Sequence, residues 1–255
     1  MKIGDIMDKT GFIGKTYTSD KHGTLVITNY INANKVEVEF RETGFKTVTK
    51  LEHIKNGKVK DKFKPNVQGV GIIGDEVSRV NGKLTKEYSL WQSMLRRCYD
   101  ESFHKTMPTY KTCSVSEDFK FYPIFKEWCR KQVSFNLKGF TLDKDLLVKG
   151  NREYSAETCC FLPEEINLVL VKCYGIRGDY PIGVSFDVRQ NAFSSSVTVG
   201  SRKKHLGYFE TSYEAFVAYK DAKERLLKEL AEKYKEVIDV RAYKALLDYK
   251  VEIYD

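Results

Sequence analysis

Residues 180–219 read YPIGVSFDVRQNAFSSSVTVGSRKKHLGYFETSYEAFVAY, and the fold of the C-terminal third turns on this stretch. Along its middle, Phe193, Val197 and Val199 fall on one face of a strand and Ser194, Ser196 and Thr198 on the other. Thr211 and Glu214 have the spacing of a capping box, in which the threonine oxygen takes a helix amide and the glutamate reaches back. Beyond it Ala215, Tyr219, Ala222, Leu226 and Leu230 recur at helical spacing, a stripe fit to cover the apolar face of a sheet. The pattern predicts three antiparallel strands packed on one helix. The exposed face then carries Ser194, Ser196 and Thr198, with Arg189 on the first strand and Arg202, Lys203 and Lys204 in the second turn. Small hydroxyls flanked by cations suit close approach to duplex DNA, where hydroxyls meet phosphates or base edges and arginine reads guanine. A plain solvated sheet face is the alternative.

Charge points the same way. Residues 175–209 hold five basic and two acidic groups, whereas 210–255 hold nine and eleven. The whole chain of 255 residues carries 43 Lys+Arg against 35 Asp+Glu, a net charge of +8. A basic segment followed by a mixed-charge helix fits a polyanion face backed by a solvated helix.

Immediately upstream, Phe140 to Val148 (FTLDKDLLV) is strand-like, a polar loop runs from Lys149 to Ala156, and ETCCFL at 157–162 forms a second strand. Pro163 is well placed to open a helix containing Ile166, Asn167, Leu168 and Leu170. Two acids around a lysine are ordinarily solvated or locally paired; the order strand, loop, strand, helix sets Asp143 and Asp145 apart.

That order, with Asp143 and Asn167 turned inward, resembles the ββα-metal unit of HNH endonucleases. The resemblance implies Asp143 as a metal ligand from the first strand and Asn167 as a ligand from the helix, with Mg2+ or Mn2+ as cofactor. Lys144 stands where the family places its water-activating histidine. Asp145 is a substitute base, and Asn151 or Thr158 braces the loop. A lysine is cationic unless burial lowers its pKa, so water activation has lost its usual agent. The strings WQSMLRRCY at 91–99, LDKD at 142–145 and YSAETC at 154–159 are similar to bacteriophage proteins grouped with HNH homing endonucleases, over most of residues 85–250.

Residues 180–219 in turn resemble the Apetala/ethylene-response-factor type of DNA-binding domain. The marks are Gly183-Val184, His205-Leu206-Gly207 with Phe209, Thr211, Glu214-Ala215 and Ala218-Tyr219; Phe193 stands where that family carries tryptophan. This resemblance implies a three-stranded sheet that enters the major groove.

Further upstream, Tyr88, Trp91, Leu95 and Tyr99 share a helix face, with Arg96 and Arg97 beside it. A loop is expected over Asp100–Cys113, then a helix capped by Ser116 that carries Phe119, Tyr122, Phe125 and Trp128. Residues 1–75 read as β: a run from Thr24 to Tyr30, strict alternation from Lys35 to Arg41 with Val36, Val38 and Phe40 on one side, and a return strand from Phe45 to Lys50. Gly69 to Gly74 reads as a linker or strand. Lys55 to Lys64 (KNGKVKDKFK) holds five lysines and one aspartate and reads as a solvated loop, with contact to phosphates as the alternative.

The six cysteines form no C-x-x-C pair, which argues against a zinc site and for buried thiols in a reducing compartment. No apolar run approaches the roughly 18 residues of a membrane span. The expectation is an α+β multidomain protein: a small barrel-like β module at 1–75, a degenerate HNH-like ββα domain with flanking helices at 76–174, the DNA-binding sheet and helix at 175–236, and a helical extension at 237–255. Its partner is double-stranded DNA and not a membrane, and its place is the cytoplasm, that of the bacterial host if phage-encoded. Two other functions compete: an active divalent-metal-dependent homing endonuclease, and a phage factor that binds a host enzyme.

Overall fold

The computed structural model describes residues 11–19, 21–171, 179–200 and 202–254. Cys173, the boundary expected at residues 174 and 175, and Ser201 lie outside them. The chain is mixed α+β and packs as two compact units, Met1–Lys126 and Glu127–Asp255.

The first unit opens with an antiparallel meander of β1 (Thr16–Ser19), β2 (Gly23–Asn32), β3 (Lys35–Phe40) and β4 (Lys46–Thr49), paired in that order. The alternation of β3 is realised: Val36, Val38 and Phe40 are buried against Leu25 and Ile27. The expected barrel does not close, because β1 and β4 are the two edges of an open sheet. Helix α1 (Leu51–Lys55) and Val59 cover its apolar face with Leu51 and Ile54, so no second sheet is needed. The short strands β5 (Arg79–Val80) and β6 (Lys83–Leu84) form a hairpin over Asn81 and Gly82, both at positive φ.

Helix α2 (Lys86–Tyr99) starts on Thr85, whose hydroxyl accepts the Tyr88 amide. Its stripe is core: Trp91 is fully buried, donates to the Phe119 carbonyl at 2.7 Å and packs with Tyr88 and Tyr122. Gly71 lies directly on it, since a Cβ there would come within 2.4 Å of Leu95 and 2.8 Å of Trp91. The expected loop after α2 instead contains helix α3 (Glu101–Thr106) and a 3-10 turn at Pro108–Tyr110. Asp100 is the reason: its carboxylate accepts the Ser102 and Phe103 amides and restarts the helix. After β7 (Ser114–Val115), Ser116 caps helix α4 (Glu117–Lys120) as expected, but the run breaks at Phe121 before α5 (Tyr122–Lys131), with Pro123 in its first turn.

In the second unit, β8 (Phe140–Asp143) is shorter than its sequence suggests, because the Asp143 carboxylate caps a turn. The short β9 (Glu153–Tyr154) follows, and β10 (Cys160–Pro163) pairs antiparallel with β8, setting Cys160 opposite Asp143. Helix α6 (Glu164–Leu170) leaves β10 directly. Strands β11 (Val184–Asp187), β12 (Ala192–Val199) and β13 (Arg202–Phe209) form the three-stranded sheet, followed by α7 (Ser212–Tyr234) and α8 (Val240–Leu247). The capping box of Thr211 and Glu214 is present in full.

The long α7 serves two cores. Phe216 and Tyr219 cover the sheet with Ile182, Val197 and Val251. Leu227, Leu230 and Ala231 instead join Leu146, Cys160, Leu162, Ile166, Ala242 and Leu246. Leu230, expected on the sheet, therefore packs with the ββα unit; the sheet is shorter than the helix, and the remaining turns need another apolar partner.

Gly183 sits at φ +79°, where a Cβ would lie 2.1 Å from the Tyr219 ring. Gly183→Ala combines backbone strain with overpacking and is expected to destabilise the unit by about 2–4 kcal/mol. Urea denaturation followed by far-UV circular dichroism checks this; unchanged stability would contradict the packing described.

Candidate functional site

The ββα loop is built around three polar side chains. Asp143 Oδ1 accepts the backbone amides of Asp145 and Leu146 at 3.0 and 2.9 Å, which ends β8 and leaves Oδ2 as the oxygen the turn does not use. Asn151 donates to the carbonyls of Lys144 and Glu153, both at 2.7 Å, and accepts the Glu153 amide at 3.1 Å. Thr158 adds a bond to the same Glu153 carbonyl at 2.7 Å. Both candidate braces therefore act, and Asn151 is the one that spans the loop back to Lys144.

Lys144 is buried. Its ammonium meets Asp145 Oδ1 at 2.5 Å and lies 5.6 Å from the centre of the Tyr154 ring. A carboxylate and a ring face both favour the cation. Asp145, the substitute base, is thereby tied to the lysine. Burial holds the Asp143 carboxyl above its ordinary pKa, with the Asp145 charge adding to the rise. Burial likewise pushes the Cys159 thiol up to about 12 and raises Cys160, so both stay inert thiols.

Asn167 on α6 donates to the Thr141 hydroxyl, two residues before Asp143 on β8, while its Oδ1 is buried without a hydrogen-bond partner. Among the described residues no group of three or more His, Cys, Asp and Glu side chains gathers in ligand range. One carboxylate and one amide oxygen still fit Mg2+ or Mn2+, which hold most of their waters and take one or two protein oxygens. The unpartnered Asn167 oxygen is the observation that supports the fit.

In the three-stranded sheet, register decides which side chains share the outer face, because directly opposed residues project to the same side. Ser194 pairs with Ser185 and Tyr208, Ser196 with His205, and Thr198 with Lys203. Arg202 and Lys204 pair with Val199 and Val197, so they register with the helix side and are exposed only at its end. Of the basic triplet, Lys203 alone stands with the hydroxyls. Arg189 lies past the end of β11: Asp187 Oδ1 accepts the Arg189 and Gln190 amides at 3.0 and 3.3 Å and starts the turn there. A β-bulge between Ser195 and Ser196 restores the alternation on either side of it.

This face carries two residues the sequence reading used only as family marks or passed over. His205 packs at a tilt against Tyr208, 4.8 Å between ring centres, and bonds Ser194 at 3.3 Å. Tyr208, half exposed, is held by Asp187 at 3.2 Å. His205 follows from the register of the turn, whereas Tyr208 lies beyond the bulge and could not be placed without it. Arg241 was also silent in the sequence: it bonds the carbonyls of Ala156 and Glu157, each at 3.1 Å, and pairs with Asp239 at 2.7 Å, clamping the end of the ββα loop from α8.

A carboxyl with a raised folded pKa binds more protons folded than unfolded, so its contribution to stability is present at low pH and lost as pH rises through the folded pKa. Asp143→Asn keeps an oxygen for the two amides and removes the charge. At pH 7 its melting midpoint is expected above wild type, by about 2–4 °C for each kcal/mol gained. The gap should close as pH falls below about 3, under the unfolded-state value near 3.9, where the wild-type carboxyl is protonated in both states. A lower midpoint at pH 7 would contradict the desolvated carboxylate.

Compared with protein-family models, curated proteins and solved structures, the chain matches none.

Proposed function

We propose that the chain is a duplex-DNA-binding protein of phage or mobile-element type, related to HNH homing endonucleases, in which the three-stranded sheet reads DNA and the nuclease centre is degenerate. The observation that carries the DNA reading is the outer sheet face, where Ser194, Ser196 and Thr198 line up with Lys203 beside the paired rings of His205 and Tyr208. Hydroxyls and a lysine position a phosphate backbone, and a flat face of short side chains lets a groove approach closely. Arg189 at the hairpin tip and Arg202 and Lys204 at the opposite turn extend the positive rim. No described helix is long and apolar enough to cross a membrane. The bacterial host cytoplasm is the compartment this reading implies.

Degeneracy rests on Lys144. Its ammonium is held by Asp145 and Tyr154, so the position where the family places its water-activating histidine carries a cation engaged in an ion pair. A second reading, slow metal-dependent cleavage, is favoured by the Asn151 brace and the unpartnered Asn167 oxygen. Asp143 and Asn167 would hold Mg2+ or Mn2+, which when bound neutralises charge at a phosphodiester and acidifies a bound water.

The test is binding of full-length protein to a mixed duplex pool, with strand breaks mapped alongside. Selection of a preferred duplex is expected, with affinity falling as salt rises. Lys203→Ala should lower the log–log salt slope by about 0.9 and weaken all sequences alike. Tyr208→Ala should weaken duplex binding if its ring contacts a base edge or a thymine methyl in the groove. Lys144→His should raise any magnesium- or manganese-dependent cutting, and Asp143→Ala should abolish it without loss of binding. Unchanged affinity in both Lys203→Ala and Tyr208→Ala would remove the sheet face as the interface.

A further inference from the structure

The lysine-rich segment after α1 is not a solvated loop. From Lys58 to Lys62 burial alternates residue by residue: Val59 and Asp61 are buried, and Lys58, Lys60 and Lys62 are exposed. Val59 belongs to the core of the N-terminal sheet. Asp61, fully buried, accepts the Thr43 hydroxyl at 2.5 Å and the Phe63 amide at 2.8 Å. Phe63 then packs against Phe45 and Phe121. Three successive inward anchors thus fix a short backbone stretch, and the lysines between them have one direction left to take.

Little of that charge is neutralised. Among the described residues Lys58 and Lys60 have no carboxylate partner. Lys62 reaches Asp75 only at 3.8 Å, a pair exposed on both sides and worth little. Lys64 alone is well paired, with Glu42 at 2.8 Å. Isolated surface lysines are ordinary; three like charges held in a row by buried neighbours repel one another, and the fold sustains that cost.

We infer that Lys58, Lys60 and Lys62 form a preset comb that contacts the phosphate backbone of duplex DNA, giving the N-terminal unit a sequence-independent grip. The inference rests on the duplex-binding reading of the chain but not on the sheet face. Four residue steps span at most about 14 Å. One DNA strand presents a phosphate about every 3.4 Å of helix axis, so the comb matches a run of backbone charges without needing any particular sequence. The lysine headgroup is a point charge that tolerates such a lattice, where arginine would favour a fixed bidentate fit. No apolar side chain is exposed between the lysines, as insertion into a lipid surface would require.

The experiment is the salt dependence of duplex binding by full-length protein and the triple variant Lys58→Gln, Lys60→Gln, Lys62→Gln. A second triple variant, Lys35→Gln, Lys105→Gln, Lys111→Gln, removes the same charge from exposed positions elsewhere in that unit. The comb variant is expected to lower the log–log slope by about 2–3, at about 0.9 per phosphate contact, with sequence preference unchanged. The control variant should shift it by less than one contact. Equal slopes in wild type and comb variant, with duplex binding intact, would overturn the comb alone. A wild type that binds no duplex would overturn both it and the reading beneath it. Loss of binding to phosphatidylserine vesicles, with duplex binding untouched, would assign the lysines to a membrane surface and overturn it as well.

Discussion

Helix α7 is too long for the sheet it covers, and the second unit is organised by what happens to the excess. Its first turns bury Phe216 and Tyr219 against Ile182 and Val197. Its last turns bury Leu227, Leu230 and Ala231 among residues of β10, α6 and α8. A helix of 23 residues is about 34 Å long, against about 26 Å for the eight-residue strands β12 and β13. The sheet and the ββα loop therefore share one rod, and neither core is complete without it. The tail after α8 fixes the register of this arrangement: Val251 is buried in the sheet core, its carbonyl accepts Lys220 at 2.6 Å and its amide donates to Glu224 at 3.0 Å.

Polar contacts then orient what the apolar contacts have joined. Glu165 on α6 accepts Lys233 and Tyr234 of α7 at 2.6 and 2.8 Å, and these bonds hold its carboxyl below the usual range. Arg241 reaches the carbonyls at the end of the ββα loop while Asp239 holds its guanidinium. Hydrogen bonds with a charged donor or acceptor are among the stronger ones in proteins. Within the loop, Asn151 ties the carbonyls of Lys144 and Glu153 together across an irregular segment. The loop is fastened from several sides, and the residue next to Asp143 within it is a lysine engaged in an ion pair.

Local signals in the sequence were strong wherever period and capping chemistry agreed. The alternation of Val36, Val38 and Phe40, the stripe of Trp91 and Leu95, and the capping box at Thr211 all follow from short-range rules. The places where reading failed are those decided at long range or by one side chain acting on its own backbone. Asp100 and Asp143 each capped a turn that no hydrophobic period announces. The open edge of the first sheet depends on α1 and Val59 covering it. On the sheet face, the basic triplet belongs to β13 rather than to the turn, so its cations alternate between faces and Lys203 was legible in kind but not in position, while the bulge at Ser195 and Ser196 lies between the turn and Tyr208 and sets the side that ring takes. Arg241 contacts residues more than 80 positions away, beyond any pattern in its own neighbourhood. For the ββα loop the resemblance supplied residue types and the structure supplied the bonds among them.

The central claim is that the outer face of the three-stranded sheet meets duplex DNA while α7 holds it from behind. Amide hydrogen exchange of the full-length protein, with and without a bound duplex, tests this most directly. Contact at the face predicts slower exchange in peptides covering residues 184–209 and no comparable change along residues 222–234, whose amides are already sealed in the helix and its cores. Protection confined to the helices, or none in 184–209 under saturating duplex, would contradict the account.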